Sequence, residues 1–151
     1  MQILRLYFYL LLVCALPLKS SIVEYIYPFA DPSFSNYGTL GLIQNPNARF
    51  HDEGALALSW SHNYPYLRGS FVAYPFDGVE VSYQYADINN ALYSSVKEFS
   101  GNQSLKDKSF DAKIRLLKES VLRPQIAIGF RDLAGTGLFS SEYIVLNKNI
   151  N

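Results

Sequence analysis

The residue types most often used in catalysis and metal binding form no recognised pattern in this chain. The two histidines, His51 and His62, are eleven positions apart, and neither lies in a metal-binding spacing such as H-E-x-x-H. The polar run at 51–53 is typical of a turn before a strand. Residues 135–137 are rich in glycine, but the lysine and hydroxyl residue of a phosphate-binding loop do not follow them. We therefore expect no metal-binding or cofactor-binding residues.

Acidic residues could supply the carboxyl pair of a glycoside hydrolase. The candidates are Glu80, Asp87, Asp111 and Asp132. A chain with 13 acidic residues offers such pairs by chance, and no G-x-S-x-G motif provides a serine nucleophile. The sequence therefore predicts a protein that is not an enzyme, with no catalytic residues and no cofactor.

The composition excludes several other classes of protein. Of the 151 residues, 49% are hydrophobic and 17% are charged, a balance unlike that of disordered chains, which are poor in apolar residues. The 13 basic and 13 acidic residues cancel, so the basic surface of a nucleic-acid-binding protein is not expected. The single cysteine, Cys14, excludes an internal disulfide framework and a cysteine-rich zinc site.

Apolar and polar residues alternate along much of the chain, which is the pattern of half-buried β-strands. The clearest run has apolar Val79, Val81, Tyr83 and Tyr85 alternating with polar Glu80, Ser82 and Gln84. Shorter runs of the same kind occupy residues 56–61, 67–76, 110–116, 126–131 and 142–146. We therefore predict an all-β chain, an antiparallel meander of about six strands.

The chain divides into three regions. Residues 1–20 predict a signal peptide, because the apolar stretch after Arg5 is about 13 residues long and a membrane-spanning helix needs about 20. Lipidation of Cys14 is an alternative, although Val13 stands where lipoproteins have a small residue. Residues 21–54 are irregular and rich in turn residues. Residues 55–151 hold the strands, interrupted by a long polar loop at 88–108.

Two architectures accommodate exported strands of this kind. In a soluble periplasmic β-sandwich, the apolar faces of two sheets pack on each other in a core. In an outer-membrane β-barrel, apolar and aromatic side chains face lipid and polar side chains face the interior. The pattern alone does not decide, since the apolar positions of residues 79–85 suit either a protein core or lipid.

Three stretches of the sequence resemble a known protein family. They are residues 36–50 (NYGTLGLIQNPNARF), residues 85–90 with 99–111, and residues 129–143 (GFRDLAGTGLFSSEY). Together they are similar to the YjbH-type exopolysaccharide proteins, a family of bacterial outer-membrane β-barrels made with capsule or exopolysaccharide operons. The first stretch departs from the family's pattern at Leu40 and Asn47, where a small residue and a threonine are usual.

The resemblance implies a non-enzymatic outer-membrane protein that supports export or surface assembly of an exopolysaccharide. Its expected partners are outer-membrane lipid, an acidic exopolysaccharide and other secretion proteins. Members of the family resemble a longer barrel, and even the smallest bacterial barrels have about eight strands. We therefore expect a fragment, the N-terminal part of a larger barrel. The alternative is a soluble periplasmic β-sandwich that binds a component of a polysaccharide secretion apparatus.

Charged residues on the polar faces of the strands are the candidate contacts for a polymer in a barrel lumen. They are Arg68, Glu80, Asp111, Lys113, Arg115 and Arg131. In that role the basic side chains would contact acidic sugars and the carboxylates would balance their charge. The same residues could instead pair across strands, at roughly 0.2–1 kcal/mol per pair. The sequence favours this simpler interpretation.

Overall fold

The structure, a computed structural model, describes residues 32–150. The predicted signal peptide at 1–20 and the first part of the predicted segment 21–54 lie outside the described residues. The elements are β1 (Gly41–Leu42), β2 (Asn45–Pro46), β3 (Leu56–Asn63), β4 (Tyr66–Phe76), β5 (Val79–Leu92), α1 (Lys97–Ser100), β6 (Ser104–Leu117), β7 (Gln125–Gly135) and β8 (Ser141–Asn147).

The six long strands, β3 to β8, form one antiparallel sheet in which strands that follow one another in the sequence are neighbours. This confirms the prediction of an all-β chain and an antiparallel meander of about six strands. Within the described residues the sheet is open, and β3 and β8 are its edges.

The polar loop predicted at 88–108 is shorter in the structure. β5 continues to Leu92 and β6 already begins at Ser104. The prediction used the loss of apolar alternation as the end of the strand, but main-chain pairing does not require apolar side chains. Here Asp87 lies opposite Lys106 in the ladder and forms an ion pair with it, so polar contacts replace apolar ones where the strands extend.

The alternation gives the sheet one polar face that is buried and one apolar face that is exposed. Along β5 the buried side chains include Glu80, Ser82 and Gln84, whereas Val81, Tyr83 and Tyr85 are exposed. A soluble sandwich would show the reverse, with the apolar face in a core. Residues 32–150 form no second large sheet, so they do not build the predicted alternative.

Residues 33–50, here called the strap, lie across the polar face and bury it. The strap contains the small β1–β2 hairpin, and its Leu40 forms an apolar cluster with Val72 and Tyr74 of β4. Gly38 is so close to the sheet that a Cβ there would lie 2.2 Å from the Cβ of Ser70. Its φ of +83° is one that glycine adopts at little cost. The strap therefore needs glycine at this position.

Candidate functional site

A buried ion pair lies on the polar face between the two central strands of the sheet. Glu80 on β5 and Lys113 on β6 are opposite each other in the ladder, and Lys113 Nζ is 3.1 Å from Glu80 Oε1. Each side chain is only 1% exposed. Glu80 Oε2 accepts hydrogen bonds from the Tyr74 hydroxyl at 2.8 Å and from the N–H of Leu40 at 3.2 Å. These partners offset the cost of removing the two charges from water. Because Leu40 belongs to the strap, its hydrogen bond to Glu80 attaches the strap to the sheet.

The polar face binds the strap through the strap's main chain. In one such bond, Gln84 Nε2 donates to the carbonyl oxygen of Tyr37 at 2.7 Å. Each strand of the sheet contributes at least one side chain that hydrogen-bonds a main-chain group of the strap. These side chains are Ser61, Ser70, Glu80, Gln84, Lys113, Gln125, Arg131 and Asn147. The polar residues of the sheet are therefore largely occupied by this one segment of chain.

The guanidinium groups of two arginines pack against the ring of Tyr37, at the end of the sheet that carries the β3–β4 and β7–β8 loops. The guanidinium carbon of Arg131 is 4.0 Å from the centre of this ring, and that of Arg68 is 4.8 Å from it. Arg68 also lies 4.2 Å from the ring centre of Tyr66 and 5.5 Å from that of Phe139. These distances are those of cation–π contacts. The aromatic rings thus surround a guanidinium that is almost fully buried.

Asp111 and Arg115, both on β6, have local partners. Asp111 accepts a hydrogen bond at 2.8 Å from the N–H of Asp132, whose φ is +53°. The β6–β7 register shifts next to Asp111, so this carboxylate bonds the irregular part of β7. Arg115, near the opposite end of the sheet, pairs with Asp77 in the β4–β5 turn.

The strap covers most of the predicted polymer contacts. Those that are 6% exposed or less are Arg68, Glu80, Asp111 and Lys113. The other two, Arg115 and Arg131, are half-buried. The cross-strand pairing that the sequence favoured is present between Glu80 and Lys113. Contact between these side chains and a polymer stays a prediction.

The amide side chains that hold the strap were not among the predicted site residues. Gln125 donates to the carbonyl oxygen of Ala48, and Asn147 accepts a hydrogen bond from the N–H of the same residue. Alternation correctly placed Gln84 on a polar face. No signal in the sequence indicates its partner, however, because Gln84 and Tyr37 are 47 positions apart.

The opposite face of the sheet is apolar and largely exposed. Its exposed large side chains are Leu56, Leu58, Trp60, Phe71, Val81, Tyr83, Tyr85, Phe110, Ile114, Leu116, Ile144 and Leu146. Towards the β5–β6 loop this apolar surface gives way to the Asp87–Lys106 ion pair. A continuous apolar surface of this kind marks an interaction site, whereas single exposed apolar residues are ordinary.

Two further findings concern the part of the chain that the structure describes. None of its helices is both long enough and apolar enough to cross a membrane. No group of three or more His, Cys, Asp or Glu side chains within residues 32–150 is placed to hold a metal ion.

The fold and the site define an all-β protein whose sheet buries a polar face under a strap of the same chain. The chain belongs to the YjbH family, described as exopolysaccharide biosynthesis protein YbjH, whose model matches residues 33–151. This confirms the resemblance seen in the sequence motifs. The match begins where the strap begins, so the family includes the strap together with the sheet.

A sequence relative comes from Escherichia coli (strain K12), where it is called "Uncharacterized lipoprotein YjbH". The two sequences are 43% identical over 143 residues, which is 93% of this chain and 20% of the relative. The chain therefore spans about a fifth of the length of this relative. No solved structure is significantly similar.

Proposed function

We propose that the sheet is part of an outer-membrane β-barrel that supports exopolysaccharide export or surface assembly without catalysing a reaction. The observation that supports the membrane location most directly is the inverted burial of the sheet. Trp60 and Leu58 are 74% and 83% exposed, whereas Glu80 and Lys113 on the other face are 1% exposed. Contact with lipid would remove the apolar surface from water, at roughly 25 cal/mol per Å².

The open edges of the sheet bear on the same proposal. A strand edge in lipid leaves main-chain groups unpaired at a cost of several kcal/mol each, so β3 and β8 need further strands beside them. The E. coli relative is long enough to contain such strands, because this chain spans about a fifth of it. A larger barrel would therefore be completed by sequence that corresponds to the rest of the relative.

The exopolysaccharide role is supported by the family description and by the chemistry of the polar face. In a barrel this face would line the interior, where polar side chains are solvated or hydrogen-bonded. An interior of this kind offers hydrogen-bond donors and acceptors to a hydroxyl-rich polymer. The arrangement supplies a passage or a docking surface, and it requires no bond-making step.

The name of the E. coli relative adds a lipid anchor to the proposal. Cys14 is the only cysteine of this chain and is the residue that could be acylated; it lies outside the described residues. An acyl anchor would hold the protein at a membrane even if no strand were inserted. The test of the barrel must therefore remove the anchor first.

Membrane fractionation tests the location of the sheet. The protein as the cell makes it is expressed with a cysteine-free cleavable leader in place of residues 1–20, and the membrane pellet is washed with carbonate. We expect the protein to stay in the outer-membrane pellet. Recovery in the soluble periplasm would contradict the proposal and favour a periplasmic location.

A matched pair of variants makes the same experiment specific for the apolar face. Val81→Arg places a charge on the proposed lipid face, at a cost of about 2–4 kcal/mol near the bilayer midplane. Leu138→Arg places the same charge in the β7–β8 loop, where Leu138 is 51% exposed. We expect the first variant to lower pellet recovery several-fold and the second to leave it unchanged. Equal recovery of both variants would argue against lipid contact at Val81.

A further inference from the structure

At one corner of the polar face, the described side chains of the sheet form no hydrogen bond to the main chain of the strap. This corner lies between β6 and the β7–β8 loop, where a cleft of about 370 Å³ is lined by Leu105, Lys106, Asp107, Thr136, Gly137 and Leu138. A cleft of this volume lies in the range of small-molecule sites, about 300–1,000 Å³. The loop residues form its exposed rim, since Leu138 is 51% exposed.

The floor of this cleft contains a buried carboxyl group with unused hydrogen-bonding capacity. Asp107 is 1% exposed. Its Oδ1 accepts a hydrogen bond from the Thr136 hydroxyl, which fixes the orientation of the carboxyl group. Its Oδ2 is buried and has no hydrogen-bond partner among the described residues. Buried polar groups without a partner are rare and costly, so this oxygen requires an explanation.

Unused donors lie on the same face of the sheet. Arg68 on β4 is opposite Ala86, and Ala86 is opposite Asp107, so the guanidinium and the carboxyl group flank a small side chain. Arg68 is 2% exposed, and its Nε and Nη1 have no hydrogen-bond partner within residues 32–150. Elsewhere on this face, by contrast, Glu80 and Gln84 are bonded to the strap.

We propose that this corner is a saccharide subsite that binds a neutral sugar unit through adjacent hydroxyl groups. A hydroxyl group both donates and accepts, so a pair of them can donate to Asp107 Oδ2 and accept from Arg68. The rings of Tyr66 and Phe139, which pack on Arg68, give the corner an apolar wall for the C–H face of a sugar. This inference rests on the proposed function and names the ligand class for it.

The charges of the corner select a neutral sugar over an acidic one. Arg68 and Asp107 contribute one charge of each sign, and Lys106 on the rim is already paired with Asp87. A sugar carboxylate would therefore be repelled by the Asp107 carboxyl group, and this repulsion would offset its attraction to Arg68. The proposed ligand, a neutral sugar, therefore differs from the acidic sugars that the basic residues of the sequence suggested.

Saturation-transfer difference NMR of the purified protein in detergent tests the subsite. The probes are D-glucose, D-galactose and D-glucuronate, each added alone to the same sample. We expect a signal from at least one neutral sugar and a signal from D-glucuronate that is several-fold weaker. No signal from any of the probes, or a stronger signal from D-glucuronate, would overturn the proposal.

A matched pair of variants assigns the signal to the corner. Asp107→Asn removes the proposed carboxylate acceptor, and Asp52→Asn removes an equivalent charge from the exposed segment before β3, away from the cleft. We expect the neutral-sugar affinity to fall at least tenfold in the first variant and to stay unchanged in the second. Equal affinity in both, with unfolding midpoints matching the parent protein, would overturn the assignment.

The outcome is separable from that of the proposed function. Sugar binding by the purified protein does not depend on where the protein resides in the cell. A protein that remains in the washed membrane pellet but binds no sugar would refute only the subsite. A protein that binds the sugar but is recovered in the periplasm would refute only the barrel.

Discussion

Glu80 and Lys113 show what single residues contribute to this molecule. Both are charged and almost completely buried, which is tolerated only when each charge has partners. Lys113 Nζ also donates to the carbonyl oxygen of Arg49 at 3.0 Å and lies 4.7 Å from the ring centre of Phe50. The two side chains thus hold separate parts of the strap, and their role in the described structure is to join the strap to the sheet.

Glu119 has a similar role at the end of the strap. It pairs with Arg49 and accepts a hydrogen bond at 2.7 Å from the N–H of Asn149. Burial raises the pKa of Glu119, but the Asn149 N–H and the Arg49 guanidinium outweigh burial and hold this pKa below its ordinary value of 4.5. A carboxyl group with a lowered folded-state pKa stabilises the fold above its ordinary pKa, and this contribution is lost as the pH falls through the folded-state pKa.

Glu119→Gln should therefore destabilise the protein at neutral pH and have less effect in acid. We expect a loss of about 1.5–3 kcal/mol near pH 7, the range of a charge-assisted hydrogen bond. The difference from the parent protein should shrink below about pH 4.5. Urea unfolding in detergent as a function of pH measures this difference. Glu98→Gln, on the exposed surface of α1, is the control, and a pH-independent difference for Glu119→Gln would contradict the account.

At the scale of the elements, the strap and the sheet depend on each other. The strap has little regular structure, because β1 and β2 contain two residues each. Its order comes instead from hydrogen bonds to side chains of β3 to β8. In return, it covers polar groups of the sheet that would otherwise be buried without partners or exposed to water.

Gln84→Ala tests this dependence in one place. The substitution removes the hydrogen bond to the Tyr37 carbonyl and the contact with Ser70 Oγ. We expect amide hydrogen exchange in residues 35–41 to accelerate about 5–10-fold, which corresponds to about 1 kcal/mol of local stability. Exchange in β4 and β5 should change less. Gln103→Ala, in the exposed loop before β6, serves as the matched control.

Hydrogen-exchange mass spectrometry gives two results that would count against the strap's dependence on Gln84. One is unchanged exchange in residues 35–41 of the Gln84→Ala protein. The other is an equal acceleration in the strap and in the sheet, which would show general destabilisation instead of local release.

The elements also show which features a single sequence can predict. The alternation around residues 79–85 and 110–116 is a local property of each strand. It correctly predicted the strands, the polar and apolar faces of the sheet, and the all-β fold class. The extension of β5 to Leu92 depends on main-chain pairing with β6. Local alternation of apolar residues carries no information about this pairing, so it could not predict the extension. The same limit applies to the bond between Gln84 and Tyr37, whose partners are distant in the sequence and meet only after the sheet has formed.

At the scale of the whole molecule, the two faces of the sheet have different environments. The strap covers the polar face, and no described segment covers the apolar face. In the proposed barrel, further strands would pair with the open edges at β3 and β8. The central claim is that lipid covers the apolar face of the completed sheet.

Nitroxide scanning of β5 in outer-membrane vesicles tests this claim most directly. Single cysteines replace Val81, Ser82, Tyr83, Gln84 and Tyr85 in protein that has the cysteine-free leader, and relaxation by oxygen is compared with relaxation by a water-soluble nickel chelate. We expect relaxation by oxygen to dominate for labels at 81, 83 and 85 and to be weak for labels at 82 and 84. Stronger relaxation by the nickel chelate at 81, 83 and 85, or shielding of these labels from both reagents, would show that lipid does not cover this face.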